Sequence, residues 1–204
     1  DREADGFAAE IMFKQPKSNS ITYKDYRNSQ MRSLYTSMLN NRLLEIARKP
    51  DAPFIFAGSG YGSFMGRSID VYSLYAGAKE NQIEKSIEVI LTENEKVRQF
   101  GFTASELERE KKNILTFYEN GAKEADKILS STYADEFIRN FLTRESVPGY
   151  QKEYELVKEI MPDITLEEIN KLGQSWITDK NMLSLVIAQE KEGIRVPTEE
   201  QVVE

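Results

Sequence analysis

Apolar and polar positions alternate weakly over residues 7–13, Phe7-Ala8-Ala9-Glu10-Ile11-Met12-Phe13, which predicts a strand. Pro16, Ser18, Asn19 and Ser20 supply loop chemistry across 14–21. Thr22, with Asp25 three residues on, caps a helix. Met31, Leu34, Tyr35, Met38, Leu39, Leu43 and Ile46 keep helical spacing to about Arg48. Lys49-Pro50-Asp51-Ala52-Pro53 ends it, because a proline drives the preceding residue out of helical backbone. Two strands follow over roughly 54–64 and 70–79, and the short link Gly66-Arg67-Ser68 makes them an antiparallel pair.

The second half reads as helices. Asn81 with Glu84 starts one whose stripe is Ile83, Ile87, Ile90, Leu91 and Val97, and Gly101 suits a left-handed stop. Thr103 and Glu106 form a capping box, with Phe102 and Leu107 as the matching hydrophobic staple. That helix runs long through Ile114, Leu115 and Tyr118. Gly121 or Ser130-Ser131 bends it, and it resumes with Tyr133, Phe137, Ile138 and Phe141. Pro148 marks the next boundary, before a helix at about 150–160. Thr165 with Glu168 makes another capping box, stapled by Ile164 and Ile169, over Leu166, Leu172 and Trp176. The last strand is Met182–Ala188. The order β-α-β-β-α-α-α-α-β predicts an α+β fold, a mostly antiparallel sheet covered by helices on one face. No repeat or interior linker interrupts it, so residues 1–204 read as a single domain.

Composition narrows the function by exclusion. Among 204 residues there is neither a histidine nor a cysteine. That removes the imidazole base, the Ser-His-Asp triad, the cysteine nucleophile, the disulfide and the ordinary zinc site. A net charge of −7 and a pI near 5.0 argue against a nucleic-acid surface and against anionic lipid. No apolar run is long enough for a membrane span. The chain opens Asp1-Arg2-Glu3-Ala4-Asp5 without an initiator Met. Pro197-Thr198-Glu199-Glu200-Gln201 resembles a capping box whose helix is missing. Both ends read as cuts from a longer protein, with any targeting signal lost with the rest.

Four features compete for a functional role. Gly58-Ser59-Gly60-Tyr61-Gly62 lacks the GKS/T ending of a phosphate loop and lies within a strand, where glycines mark a bulge or close backbone approach. Glu106, Glu108 and Glu110 suggest a carboxylate metal site. Residues two apart on a helix diverge, however, so a solvated face explains them. Tyr23-Lys24-Asp25-Tyr26-Arg27 and Tyr150-Gln151-Lys152-Glu153-Tyr154 mix aromatics with charges. Such stretches can bind peptides, and mixed charge is also common at helix starts. Arg48 sits where it complements a helix dipole.

The run from Met31 to Phe102 carries a resemblance. Met31-Arg32-Ser33-Leu34-Tyr35-Thr36-Ser37-Met38-Leu39-Asn40-Asn41-Arg42-Leu43, then Phe54–Gly60, then Tyr72-Ser73-Leu74, is similar to the non-catalytic "inactive domain" of pitrilysin/insulinase-type zinc peptidases. More narrowly, it resembles the second quarter of bacterial zinc proteases built from four such units. Phe100-Gly101-Phe102-Thr103-Ala104-Ser105-Glu106-Leu107-Glu108 and Ile164-Thr165-Leu166-Glu167-Glu168-Ile169-Asn170 match helix-opening segments of that family.

The resemblance implies a LuxS/mitochondrial-processing-peptidase-like half unit, in a protein whose two halves close over a peptide. It places zinc in another unit, on a His-x-x-Glu-His motif whose Glu is the general base. This chain, without histidine, cannot be that unit. Active members also supply an Arg and a Tyr from the opposite half. Arg48 falls near the Arg position, while the Tyr position reads Phe54, one residue short in spacing and without a hydroxyl to donate. Arg48 and Phe54 are thus the candidate substrate-chamber contacts. A glycine-rich substrate loop found in some relatives is replaced by Ser33–Met38. The expected partners are other domains of the same polypeptide, notably the zinc-bearing unit, and a peptide substrate, with no nucleic acid. The expected cofactor is zinc in the catalytic domain of the full-length protein, with none in this chain. The family habit suggests the cell envelope or periplasm. Two alternatives stay open: a catalytically dead scaffold, and an unrelated peptide-binding α+β domain.

Overall fold

A computed structural model describes residues 6–178 and 180–203. The opening residues Asp1–Asp5 lie outside the described residues. Four strands, β1 (Phe7–Pro16), β2 (Phe54–Phe64), β3 (Ile69–Ala78) and β4 (Met182–Ile187), form one sheet in the order β2-β3-β1-β4. Every neighbouring pair is antiparallel. The helices are α1 (Tyr23–Ala47), α2 (Ile83–Phe100), α3 (Ala104–Lys123), α4 (Ser130–Thr143), α5 (Tyr150–Asp163), α6 (Leu166–Trp176) and α7 (Glu199–Val203).

The strand alternation decides which face is covered. Ala9, Ile11 and Phe13 of β1 and Tyr72, Leu74 and Ala76 of β3 point into one core with Leu34, Tyr35, Met38, Leu39 and Leu43 of α1, Ile87 and Ile90 of α2, and Ile160, Ile169 and Trp176. The opposite face is apolar and open. The register Glu10↔Leu185 and Ala8↔Ile187 sets Leu185 and Ile187 on that side, beside Tyr75 and Phe56. Leu185 is 44% exposed and Phe56 57%. A bulge at Ile55 lets Phe54 enter the core while Phe56 turns outward. The glycines of β2 and β3 then have a packing reason. Phe56 pairs with Gly77 and Gly58 with Tyr75, and a Cβ on Gly58 would sit 2.5 Å from the Tyr75 hydroxyl. The strand reading of Gly58–Gly62 therefore holds, through close approach of a ring rather than of a ligand.

Three capping boxes form, at Thr22/Asp25, Thr103/Glu106 and Thr165/Glu168, and the stapling pairs Phe102/Leu107 and Ile164/Ile169 are buried. Four expectations need correction. The cap of α2 is Gln82, not Asn81. The Asn81 amide is already committed to Arg195 N–H (2.8 Å) and the Gly193 carbonyl (3.3 Å). Gly101 has φ +73° but ψ −172°, so it is not left-handed helical; it holds a conformation open almost to glycine alone, with the Asn170 side chain against it. The long bent helix is two helices. Gly121 lies inside α3, and the break is a 3-10 turn at Ala125–Lys127. The helix that resumes is α4, and Phe137, Ile138 and Phe141 on it, given no contact by the sequence, lie outside the core; Phe141 is 85% exposed. The capping box near the end does carry a helix, the short α7, with Thr198 N–H donating to Gln201 Oε1 at 2.9 Å.

Candidate functional site

The two aromatic-and-charged segments come together. Tyr23 and Tyr26, from the first turn of α1, and Glu153, from the start of α5, line one groove of about 890 Å³. Its other walls are the serine-rich 17–22 loop, the β2–β3 hairpin with Tyr61, Ser63 and Arg67, and Arg139 of α4. Helical spacing builds the central wall, since Tyr26, Gln30 and Ser33 fall on one side of α1. Buried Asp70 fixes the loop to the sheet. Lys17 Nζ lies 2.8 Å from its carboxylate and Ser18 N–H donates to it at 2.9 Å. Burial alone would raise the Asp70 pKa, but Lys17 and Ser18 hold it below its ordinary value.

Gln30 is the residue that sequence reasoning missed. It is 3% exposed, and its Nε2 donates to the Tyr118 hydroxyl at 3.1 Å. A long polar side chain beside Met31 and one turn before Leu34 was the available signal.

Arg48 and Phe54 bracket the turn from α1 into β2, and the structure sets their side chains apart. Arg48 is the exposed C-cap of α1 and makes no ion pair with a described residue. Phe54 is 0% exposed, its ring in the core. Only Arg48 presents its side chain to solvent.

The acidic run is not a solvated face. Arg42 reaches Glu106 through Nε–Oε1 at 2.6 Å and Nη2–Oε2 at 2.9 Å, and Asn41 donates to buried Glu110 at 2.7 Å. Glu106 and Glu110, four apart, share the side of α3 that meets α1, and only Glu108 stays in solvent. Among the described residues no group of three or more His, Cys, Asp or Glu could hold a metal ion. With a donor set this poor, zinc does not fit the described residues.

The same carboxylates set an acid limit. Burial raises the Glu106 pKa, yet hydrogen bonds from Arg42 and Thr103 overcome it and hold the carboxyl at about 2. The Arg27 hydrogen bond does the same for Glu168, again to about 2. A depressed carboxyl stabilises fully above its unfolded pKa and loses that stabilisation as pH falls toward its folded one. Denaturant midpoints are therefore expected to fall between about pH 5 and pH 2, with Glu106 contributing at most about 3 kcal/mol. Glu168 contributes less because water screens it. Burial, then the charges of Glu136 and Glu145, raise the Glu153 pKa, so its opposite trend softens the loss. A flat midpoint across that window would contradict the Arg42–Glu106 assignment.

Comparison with known proteins gives the class first. The first half of the periplasmic protease PqqL from Escherichia coli has the same fold, with a TM-score of 0.83 at 14% identity over 90% of this chain and 39% of that one. The sheet with one helical face is thus a fold that this peptidase half shares. No family model matches the chain. In sequence it is 26% identical over 178 residues to a zinc protease PQQL-like protein of Arabidopsis thaliana, covering 87% of this chain and 16% of the relative. It is 24% identical over 167 residues to the chloroplastic stromal processing peptidase of the same plant, covering 82% and 13%. These relatives and neighbours are zinc proteases and processing peptidases, and the resemblance to the pitrilysin/insulinase-type zinc peptidase superfamily fits them. The chain spans only about one-sixth or less of the length of these curated relatives.

Proposed function

We propose that residues 1–204 form one non-catalytic unit of a zinc-dependent endopeptidase, which packs beside the zinc-bearing unit and builds the wall of the substrate chamber. The observation that carries this is the likeness to zinc proteases in a chain that has no histidine. Zinc belongs to another unit of the polypeptide. The uncovered sheet face with Phe56, Tyr75, Leu185 and Ile187 supports packing against a neighbouring unit, since exposed apolar area of this kind is a contact surface. Arg48, free at the end of α1, is the chamber contact. For location, the likeness to periplasmic PqqL favours the cell envelope, while the chloroplastic relatives point to another compartment.

Two measurements test this. The purified 204-residue chain is expected to bind no stoichiometric zinc and to cleave no peptide; chelator-sensitive hydrolysis by the pure chain overturns the reading. In the full-length polypeptide, Leu185→Lys is expected to lower peptidase activity at least about ten-fold, equivalent to 1.4 kcal/mol of unit packing. The isolated chain should keep its thermal midpoint, because Leu185 is already half in water there. Unchanged activity would remove the docking face.

A further inference from the structure

Helix α4 is turned inside out. Its 14 residues include no buried side chain. At helical spacing, Phe137, Ile138, Phe141 and Leu142 share one face, and Glu136, Arg139 and Thr143 share the opposite one. The polar face looks back onto the protein. Arg139 and Thr143 line the groove. Burial, and then Glu136, raise the Glu153 pKa, which sets Glu136 beside α5. The apolar face looks away. Phe137 is 60% exposed and Ile138 53%, and of the four only Leu142 reaches the edge of the groove.

The anchors of α4 lie at its ends. The Tyr133 hydroxyl donates to the Ala125 carbonyl at 3.1 Å, and its ring packs edge-on to Tyr150. Past the last turn, Ser146 N–H donates to the Ser20 carbonyl at 3.1 Å and its hydroxyl to the Ile21 carbonyl at 3.0 Å. An isolated helix shorter than about 12–15 residues is marginal in water, and packing of an apolar face supplies most helical stability in proteins. The apolar face of α4 finds no such packing among the described residues, so its cover comes from outside them.

Charge selects the cover. Asp135 and Glu136 lie in the N-terminal half of α4, and Arg139 and the C-cap Arg144 lie toward its C-terminus. Asp135 and Arg144 are exposed and make no ion pair with a described residue. A second α4 laid antiparallel sets each acidic end against a basic end and opposes the two helix dipoles, whereas a parallel copy sets like against like. A two-fold contact needs a patch that complements itself in this way. With the axis between Ile138 and Phe141, each of these side chains meets the other's copy.

We propose that α4 is a self-association face, on which two copies of this chain pair their α4 helices antiparallel about a two-fold axis and bury Phe137, Ile138 and Phe141 between them. The face is separate from the sheet face of Phe56, Tyr75, Leu185 and Ile187, and the proposal does not depend on what that face meets.

The 204-residue chain tests this, because its sheet and helices share one core. In sedimentation equilibrium its mass should rise from monomer to dimer with concentration, since two helices of this length bury an area at the low end, below about 1,200 Å². Phe141→Glu should weaken the dimer at least ten-fold and leave the thermal midpoint of the dilute monomer unchanged, because Phe141 is already in water there. Arg144→Asp should weaken it about five-fold, since the two-fold repeats the change and each exposed charge contributes little. Leu185→Lys should leave it intact. The absence of cysteine gives a second readout, since every thiol must be introduced. Ile138→Cys and Leu185→Cys place lone thiols of similar exposure on the two faces. A short bis-maleimide should link the first variant into dimers and leave the second monomeric. A chain that stays monomeric up to about 1 mM overturns the proposal. So does equal cross-linking of the two thiols, or a dimer that survives Phe141→Glu. A monomer whose full-length polypeptide loses thermal stability on Phe141→Glu would assign the face to another unit of the same polypeptide, and that also overturns it.

Discussion

Arg42→Met is expected to destabilise the chain by about 3 kcal/mol, roughly 6–12 °C in thermal midpoint for a domain of this size. Arg42 stands at the centre of one network. It forks onto Glu106, reaches Glu93 at 3.5 Å and the Gly101 carbonyl at 3.3 Å, and lies 5.0 Å over the Phe102 ring. It thereby ties α1 to the junction of α2 and α3. Methionine keeps much of the stem's volume and removes the charge. Glu106 and Glu93, whose side chains are 15% and 11% exposed, then keep their carboxylates without this cation. A carboxylate left so poorly hydrated costs more than the intact pair contributes. Glu106→Gln alone should cost less, because the amide oxygen still caps Thr103 N–H, the role Glu106 now fills at 2.7 Å. The double variant should recover at least about 1 kcal/mol relative to the sum of the singles. In Arg42→Met the acid transition should also move up toward the ordinary carboxylate range, because the bond that held Glu106 near 2 is gone. Additive costs in a denaturant cycle would show that the fork contributes nothing beyond its separate residues.

That network shows where the sequence was legible and where it was not. The capping boxes, their staples and the core stripe of α1 were readable because each is a local rule acting over three or four residues. The β2–β3 hairpin and the antiparallel sheet were also legible, from strand alternation and a short link, whereas the order β2-β3-β1-β4 was not. What failed was non-local. Glu106 and Glu110 looked like solvent-facing acids because the partners that bury them, Asn41 and Arg42, lie more than sixty residues earlier. Asn81 looked like a cap because Gly193 and Arg195, which take its amide, are more than one hundred and ten residues away. Phe137, Ile138 and Phe141 have the spacing of a core-facing helix, and periodicity does not say which surface such a face meets. The superfamily was visible in ordered motifs. The groove was not, because it joins the start of α1, the β2–β3 hairpin, α4 and α5, and no single stretch of chain contains it.

Trp176→Ala is expected to have the largest effect on stability, about 3–5 kcal/mol, or roughly 6–20 °C in thermal midpoint. Trp176 is the sole tryptophan, 6% exposed, at the last turn of α6. Its ring centroid lies 4.8 Å from Tyr35, 4.8 Å from Tyr61 and 5.2 Å from Tyr72, so one side chain joins α6 to α1, β2 and β3. Gly173, one turn earlier, lets that helix approach, since a Cβ there would meet the Tyr35 hydroxyl at 2.7 Å. Two of the three neighbours are held by other contacts: Tyr72 donates to Asn94 at 2.7 Å, and Tyr35 packs edge-on to Phe102. They cannot collapse into the space an indole leaves, so a cavity persists and its cost adds to the lost burial. Trp176→Phe keeps an aromatic contact and should lose less than half as much. Thermal unfolding followed by circular dichroism measures both. The cavity also removes the ring packed against Tyr61, which itself lies 5.0 Å from the Arg32 guanidinium. A loss of stability below about 1 kcal/mol would mean that α6 is held by its capping box and Ile169 rather than by the indole.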